Sequence, residues 1–444
     1  MILYLIFPKK YYSASEKDRL PDVIRQQLTI GVAVMQILFF GVFCRKEEEA
    51  HLIKNSNIGV QGAVISFQWN LIEGLIANLE APISILNFLP VGTYPKYYKK
   101  IILKSVEWRK SKYVTDKTIG FINLLGIKQI IQIYRAKIEI ENWLNKTDDK
   151  DKCILIYDLV LPYLIALNWV KKKYPKIITC SIVADLPNQF GYNKKDKGLM
   201  KLLRRFIGKV QLHEIQKMNC YALLTKHMKY PLNIPDASYV VIEGIASSNV
   251  PFREIQRNSK NIIMYAGVLT DIYGIDNLVK AFMGIDDTNY ELWLCGSGDY
   301  EDTICKCLSV DKRIKYFGYC PKNKIYELQS QASVLVNPRQ NIGEYTKYSF
   351  PSKIMEYLAA GRPVIAYRLD GIPLEYYDYI QCVDGNAVRD LREKMIEVCE
   401  LSFEERQRLG AQGRQFVMQN KNARTQCKKI LDLLSSVFEN HSTA

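Results

Sequence analysis

The second half of the chain alternates short apolar runs with helix-like stretches, and this pattern constrains the fold more than any other feature. The helix-like stretches include 275–282, 323–331 and 388–399. The apolar runs are 261–266, 291–295, 314–317, 333–337, 363–367 and 380–383. Strands this short, separated by helices, are typical of a buried parallel sheet. We therefore predict a doubly wound α/β domain, in which ligands bind beyond the carboxyl ends of the strands.

Residues 344–375 have the pattern of an anion site at a helix N-terminus. Pro351 favours a first helical turn, an apolar helix carrying Lys353 and Glu356 follows, and Gly361 ends it. Free N–H groups and the helix dipole favour negative charge at such a terminus. A carboxylate one turn further on can accept paired hydrogen bonds from a ribose diol. The segment indicates a nucleoside-diphosphate pocket, and the alternative is an ordinary helix–strand unit with scattered surface charges.

The same segment resembles the donor-binding motif of the family 4 glycosyltransferases. That resemblance implies an α/β fold of the GT-B class, with two Rossmann-like doubly wound domains facing a central cleft. In the family, a glutamate that contacts the sugar lies eight residues before a glutamate that contacts the ribose. Glu356 matches the second position, whereas Tyr348 takes the first and the nearby Glu344 has the wrong spacing. Residues 337–339 followed by 348–353 resemble a branch common in bacterial surface-polysaccharide clusters.

The resemblance implies a set of donor-binding residues in the second half. They are Gly267, Gly318, Arg339, Ser352, Lys353 and Glu356, with Gly298, Glu344, Lys347 and Tyr348 as weaker members. The family usually places an arginine and a lysine on the diphosphate where this chain has Val268 and Tyr273. Either the chain is not a working transferase, or other residues supply the charge. Arg339 and Lys353 are the candidates, because an arginine fork suits phosphate and a lysine acts as a point charge. The alternative for Arg339 is a surface residue on a loop.

An acidic residue follows a predicted buried strand in the first half, where the apolar run 177–184 leads directly into Asp185. In the family, a histidine or aspartate at this point faces the reacting sugar. The resemblance therefore implies that Asp185 is the catalytic residue, which orients the acceptor or stabilises an oxocarbenium-like transition state. The alternative is that Asp185 caps the following helix. Asp158, which follows the predicted strand 153–157, is a second candidate.

The length of 444 residues predicts two domains. We predict an N-terminal acceptor-binding Rossmann-like domain over 1–247 and a C-terminal nucleotide-sugar-binding Rossmann-like domain over 248–420. By resemblance, a last helix over 421–444 crosses back to the first domain. Strands of the first domain are predicted at 1–7, 37–43, 82–88, 153–157, 177–183, 219–225 and 238–242.

Two shorter features mark the boundaries of the second domain. The polar stretch 246–260, which contains Pro251, is the predicted linker. Ser402 and Glu405 form a predicted capping box that begins the helical tail.

The formal net charge of +15 implies an anionic partner. The stretches 94–117 and 194–209 interleave lysine and arginine with aromatic and apolar residues. On amphipathic helices, such stretches favour peripheral contact with an anionic membrane, and a solvated helix face is the alternative. Nucleic-acid binding fits the charge as well, but the sequence contains no nucleic-acid-binding motif.

The cysteine and histidine content indicates a reduced cytoplasmic protein without a metal centre. The eleven cysteines include no CxxC pair, and there are only four histidines. The apolar run 29–43 is shorter than the roughly 20 residues of a spanning helix, and we predict a helix end leading into a buried strand. We expect a cytoplasmic location, with peripheral contact at the inner face of the cytoplasmic membrane.

Together these features predict a retaining, metal-independent glycosyltransferase that needs no cofactor besides its donor. It would move a hexosyl or related sugar from a nucleoside diphosphate to a glycan or lipid-linked oligosaccharide, in capsule or exopolysaccharide synthesis. The alternative is a non-catalytic GT-B relative that binds polysaccharide precursors or partner enzymes. Val268, Tyr273 and Tyr348 favour that alternative, whereas Asp185, Lys353 and Glu356 oppose it.

Overall fold

The computed structural model describes residues 35–57, 62–79, 82–146, 151–186, 198–248, 250–251 and 259–442. Two separate sheets, one of eight strands and one of six, organise this part of the chain. A small two-stranded sheet stands apart from both. The predicted strand 1–7 lies outside the described residues.

The first sheet is parallel except at one edge. Its order is β10-β9-β8-β7-β1-β2-β5-β4, and only the β4–β5 pair is antiparallel. The strands are β1 Gln36–Val42, β2 Ser84–Phe88, β4 Val106–Trp108, β5 Asp116–Thr118, β7 Lys152–Tyr157, β8 Ile178–Val183, β9 Cys220–Leu223 and β10 Tyr239–Val241; β3 Ile102–Leu103 and β6 Phe121–Ile122 form the small sheet. The predicted strands that fall on described residues are thus present, with ends shifted by one or two residues.

Both faces of the first sheet are covered, as the buried run of β1 requires. Successive side chains of β1 point to opposite faces, so Leu38 and Phe40 enter one core while Ile37 and Phe39 enter the other. The helices of this half are α1 Lys46–Asn55, α2 Gly62–Asn78, α3 Ile127–Lys146, α4 Leu161–Lys173, α5 Leu199–Ile215 and α6 Lys229–Leu232.

The second sheet is entirely parallel, in the order β13-β12-β11-β14-β15-β16. Its strands are β11 Asn261–Ala266, β12 Tyr290–Cys295, β13 Ile314–Tyr316, β14 Val334–Asn337, β15 Val364–Tyr367 and β16 Gln381–Val383, connected by α7 Ile275–Met283, α8 Glu301–Val310, α9 Lys322–Gln331, α10 Ser352–Ala360 and α11 Val388–Glu400. Strands β12 and β13 follow on one side of β11, whereas β14, β15 and β16 follow on its other side. This reversal of strand order creates a crevice between β11 and β14 at the carboxyl edge. This is the doubly wound arrangement that the alternating runs predicted.

Two helices complete the chain, α12 Phe403–Asn420 and α13 Ala423–Ser442. The predicted capping box begins α12, because Ser402 and Glu405 each accept a hydrogen bond from the other's backbone N–H. Helix α13 packs against α2, and its Cys427, Ile430 and Leu434 enter the core of the first sheet. Within the described ranges, no helix combines the length and apolar character needed to cross a membrane.

The prediction that 94–117 is an amphipathic helix is wrong. The segment contains β3, β4 and the start of β5, joined by turns. Asp116 explains the difference, since its buried carboxylate accepts hydrogen bonds from the backbone N–H groups of Ile85 at 2.9 Å and Lys110 at 2.7 Å. These bonds hold the segment at the edge of the sheet. The other basic stretch is helical from Leu199 onward, and its residues 194–197 lie outside the described part of the chain.

Candidate donor-binding and catalytic site

The loops at the carboxyl edge of the second sheet pack directly against one another. Gly274 has a φ of 80°, and a Cβ atom there would lie 2.1 Å from the carbonyl oxygen of Pro338. Gly296 is equally confined, because its Cβ would lie 1.8 Å from the carbonyl oxygen of Gly267. Neither position accepts a side chain without movement of the facing backbone. The glycines therefore join the loops after β11, β12 and β14 into one continuous edge.

The other two predicted glycines lie along the same edge. The backbone N–H of Gly298 donates to Oε1 of Glu301 at 2.7 Å. The carbonyl oxygen of Gly318 accepts a hydrogen bond from the backbone N–H of Gly296 at 2.8 Å. Gly298 follows β12 and Gly318 follows β13, so both glycines lie at the carboxyl edge of the second sheet.

Arg339 is buried at the switch point, only 6% exposed, and is not the surface residue of the alternative interpretation. Its guanidinium lies 4.7 Å from the ring centre of Tyr345 and 5.6 Å from that of Tyr273. One terminal nitrogen donates to Ser349 Oγ at 2.7 Å. Its Nε, by contrast, is buried without a hydrogen-bond partner among the described residues. A buried, unpaired donor next to aromatic faces is costly unless a ligand completes it.

Lys353 and Glu356 lie in the first two turns of α10, which Pro351 and Gly361 bound as predicted. Ser352 is the first residue of this helix. The Lys353 ammonium lies 2.9 Å from Oε2 of Glu356, and Gln329 donates to Oε1 of Glu356 at 3.0 Å. Both charged side chains are between a quarter and a third exposed. Lys353 and Glu356, the residues predicted to bind the diphosphate and the ribose, therefore lie next to each other and are accessible to solvent.

Lys353 also acts on the end of β12. Burial raises the pKa of the Cys295 thiol to about 12, and the neighbouring charge of Lys353 opposes this rise. Cys295 is the last residue of β12. The charge of Lys353 therefore affects the carboxyl end of β12.

A 3-10 turn over Glu344–Tyr348 contacts the first half of the chain. The hydroxyl of Thr225, two residues beyond β9, donates to the carbonyl oxygen of Lys347 at 2.7 Å. Tyr348 packs against the core of the first sheet, whereas Glu344 is exposed. A further contact joins Lys322 to Ser66 Oγ at 2.6 Å. The carboxyl edges of the two sheets thus meet, and Tyr348, which the resemblance aligns with the sugar-binding position, contacts the first half of the chain.

Two aspartates lie at the carboxyl ends of the adjacent strands β7 and β8. Asp158 follows β7 directly, and Asp185 follows β8 after one residue. The backbone N–H of Asp185 donates to Oδ1 of Asp158 at 3.3 Å. Loss of hydration, with a smaller effect from the charge of Asp185, raises the pKa of Asp158 to about 6. Loss of hydration also raises the pKa of Asp185, although that residue as a whole is exposed.

A buried ion-pair network lies where the segment after β10 meets the segment between α12 and α13. The Lys421 ammonium donates to Oε1 of Glu243 at 3.1 Å and also to the carboxylate of Glu375. Gln426 donates to the second oxygen of Glu243 at 2.9 Å. The backbone N–H of Ala246 donates to the carbonyl oxygen of Lys421 at 2.8 Å, so backbone and side chains join the two segments.

Comparisons with known proteins agree with this architecture. Residues 248–416 match the family of glycosyl transferases group 1. Sucrose-phosphate synthase from Thermosynechococcus elongatus aligns with a TM-score of 0.62 at 15% identity, over 91% of this chain and 100% of that one. The chain has the GT-B fold. The likeness at this identity concerns the GT-B fold alone, and no match was found among curated protein sequences.

Two further GT-B structures were determined with nucleotides. HepE from Anabaena, in complex with UDP, aligns with a TM-score of 0.57 at 12% identity, over 90% of this chain and 100% of that one. The catalytic domain of starch synthase IV from Arabidopsis thaliana, bound to ADP and acarbose, aligns with a TM-score of 0.58 at 10% identity, over 91% of this chain and 99% of that one.

The sequence does not reveal several residues of the site, and it gives others too little weight. Tyr273 was noted only as a missing lysine, yet its ring faces the Arg339 guanidinium together with Tyr345. Gln329, which holds Glu356, belongs to a helix that carried no motif. Asp158 was only a second candidate, and the single available signal was its place directly after a strand.

Proposed function

We propose that this protein is a retaining glycosyltransferase. It moves a sugar, a hexose or a related one, from a nucleoside diphosphate to a glycan or lipid-linked oligosaccharide acceptor in the synthesis of a bacterial surface polysaccharide. The resemblance of α10 to the family 4 donor-binding motif and the group 1 family match over 248–416 support the activity. The observation that carries the proposal is the buried Arg339, which follows β14 at the switch point and whose Nε has no hydrogen-bond partner among the residues that the structure describes.

On the donor side, the diphosphate binds between Arg339 and Lys353. Both cations, together with the free N–H groups of α10, supply the positive charge that Val268 and Tyr273 do not. Glu356 accepts hydrogen bonds from the ribose hydroxyls, and the hydrogen bond from Gln329 keeps the Glu356 carboxylate in place. Because this positive charge is built into the chain, the proposed transfer is independent of a metal. The second domain, 248–420, is the proposed donor-binding domain.

On the acceptor side, Asp185 faces the reacting sugar from the first domain, over 1–247. In a retaining transfer the acceptor attacks from the face of the leaving group, and the departing diphosphate takes the acceptor's proton. Asp185 orients the acceptor and stabilises the developing positive charge of the sugar ring. Arg339 and Lys353 stabilise the negative charge that develops on the leaving diphosphate.

The proposed acceptor is bound at the inner face of the cytoplasmic membrane. Helix α5 supports peripheral contact there, because it exposes Leu202, Leu203 and Phe206 beside the basic residues Arg205 and Lys209. An apolar and basic helix surface of this kind favours an anionic lipid interface. No role in this contact is proposed for 94–117, since that segment is not helical.

A nucleotide screen tests the proposal. The protein's thermal unfolding would be measured with UDP, GDP, CDP and dTDP and with their sugars, without added metal. One-site binding predicts a stabilisation of about 2.7 kcal/mol at a ligand concentration one hundredfold above Kd. The selected nucleotide sugar is then incubated with wild type and Glu356→Ala in the presence of membrane extracts. We expect the wild type to consume the donor and the variant to be severely impaired.

The alternative function is a non-catalytic GT-B relative that binds precursors or partner enzymes. The specific observation in its favour is that Tyr348, at the family's sugar-binding position, packs against the first domain. A folded protein that none of the nucleotides stabilises would replace our proposal with this one. A protein that binds a nucleotide sugar but never consumes it would do the same.

A further inference from the structure

Asp158 has a backbone conformation that is uncommon for any residue with a Cβ atom. Its φ is +61°, in the left-handed region. A residue with a Cβ atom is strained there, and aspartate and asparagine tolerate the region best because their short polar side chains form local hydrogen bonds. Such strain persists where surrounding interactions hold the residue in place.

Those interactions connect the ends of two strands. The backbone N–H of Asp158 donates to the carbonyl oxygen of Ile182 at 2.7 Å, which extends the β7–β8 pairing by one residue. Its carboxylate accepts a hydrogen bond from the backbone N–H of Asp185, in the segment after β8, at 3.3 Å. Interactions with the backbone of Leu159 and Ala184 also lower the pKa of this carboxyl, against the larger rise that burial causes. One side chain thus fastens the segment after β8 to the end of β7.

The described residues give the Asp185 carboxylate no comparable support. Within the part of the chain that the structure describes, no side chain or backbone group donates a hydrogen bond to it. Among the described residues, what constrains its position is therefore the backbone that carries it. The best-placed constraint on that backbone is the acceptor oxygen of Asp158.

We propose that Asp158 is the positioning residue for Asp185, fixing the backbone after β8 so that the Asp185 carboxylate is held toward the substrate. The inference rests on the proposed function only for the role of Asp185. The tether between the two segments is a separate claim that can be measured without turnover.

Two substitutions separate the tether from backbone strain. Asp158→Asn keeps an acceptor oxygen and tolerates positive φ, whereas Asp158→Gly tolerates positive φ and has no acceptor. We expect amide hydrogen exchange at Asp185 to accelerate by about tenfold or more in the glycine variant, the equivalent of about 1.4 kcal/mol. We expect kcat to fall by a similar factor in the glycine variant, with an unchanged donor KM. The asparagine variant should stay close to wild type in both measurements.

Asn233→Gly is the matched control. Asn233 also has a positive φ, 52°, and lies at the end of α6. Its replacement relieves the same kind of strain and should leave exchange at Asp185 unchanged. Unchanged exchange at Asp185 in Asp158→Gly would overturn the proposal, as would equal losses of kcat in the asparagine and glycine variants. If the wild type proves inactive, the proposed function fails, and the exchange measurement still decides whether the tether exists.

Discussion

The Lys421 ammonium lies 3.1 Å from a carboxylate oxygen of Glu243, and neither side chain is more than 5% exposed. A charge buried to this extent is stable only while its partner is present. The pair joins the segment after β10 to the segment before α13 and adds to the contacts that Thr225 and Tyr348 make between the two halves of the chain.

Lys421→Met should destabilise the protein by about 3–5 kcal/mol, because it leaves the Glu243 charge buried and uncompensated. Adding Glu243→Gln should recover much of this loss. Urea unfolding of the single and double variants measures both effects. Lys428→Met is the control, since Lys428 pairs with Asp432 at the same 3.1 Å but with both side chains more than 60% exposed. Its effect should stay below about 1 kcal/mol. Additive losses in the double variant would contradict the interpretation.

Lys353→Ala should weaken binding of the selected nucleoside diphosphate by about tenfold or more, because a charge-assisted contact contributes about 1.5–3 kcal/mol. The effect should shrink at high salt. Titration calorimetry at two salt concentrations measures it. Lys394→Ala is the matched control, because Lys394 forms the same (i, i+3) pair with Glu397 on a different helix, α11. Equal affinity in the two variants would remove Lys353 from the donor site.

Arg339→Lys keeps the positive charge but loses the planar fork and its contact with the two tyrosine rings. We expect diphosphate affinity to fall by about tenfold, since lysine cannot reproduce paired hydrogen bonds to phosphate. Arg313→Lys controls for the general loss of a stacked arginine, as Arg313 lies 5.0 Å from the Phe282 ring centre on another part of the domain. Direct binding measurements on both variants test this, and an Arg339→Lys variant with full affinity would disprove it.

Asp116 gives a pH-dependent contribution to stability. Burial raises the pKa of its carboxyl from the ordinary value of 3.8 to about 6. Between these values the folded state holds a proton that the unfolded state releases, so the contribution of Asp116 falls as pH rises from about 4 to about 6. The difference in unfolding free energy between wild type and Asp116→Asn should therefore decrease over this range, by about 1–3 kcal/mol. Parallel pH curves for the two proteins would refute the assignment.

The strands and helices of the second domain could be predicted closely because each is determined by residues that are neighbours in the sequence. Buried parallel strands are recognisable as short apolar runs, and β11 has the bounds predicted for it. Pro351 and Gly361 likewise set the ends of α10 by their own backbone preferences. Lys353 and Glu356 lie one turn apart on this helix, so their adjacency also follows from the sequence.

What could not be predicted depends on contacts between distant segments. The segment 94–117 is held at the sheet edge by Asp116, whose partner Ile85 is 31 residues away. The surroundings of Arg339 combine Tyr273 from the loop after β11 with Tyr345 from the 3-10 turn. A helical pattern or a family motif does not reveal which loops meet. The position of Tyr348 against the first domain was unforeseen for the same reason.

The contact between Gly274 and the carbonyl oxygen of Pro338 also constrains how this protein can change. A side chain at 274 requires the backbone at 338 to move, and Arg339 must then move with it. The two positions are distant in sequence but cannot vary independently. Among relatives, we therefore expect substitutions of this glycine to occur together with changes at positions 338 and 339, so that the two loops covary.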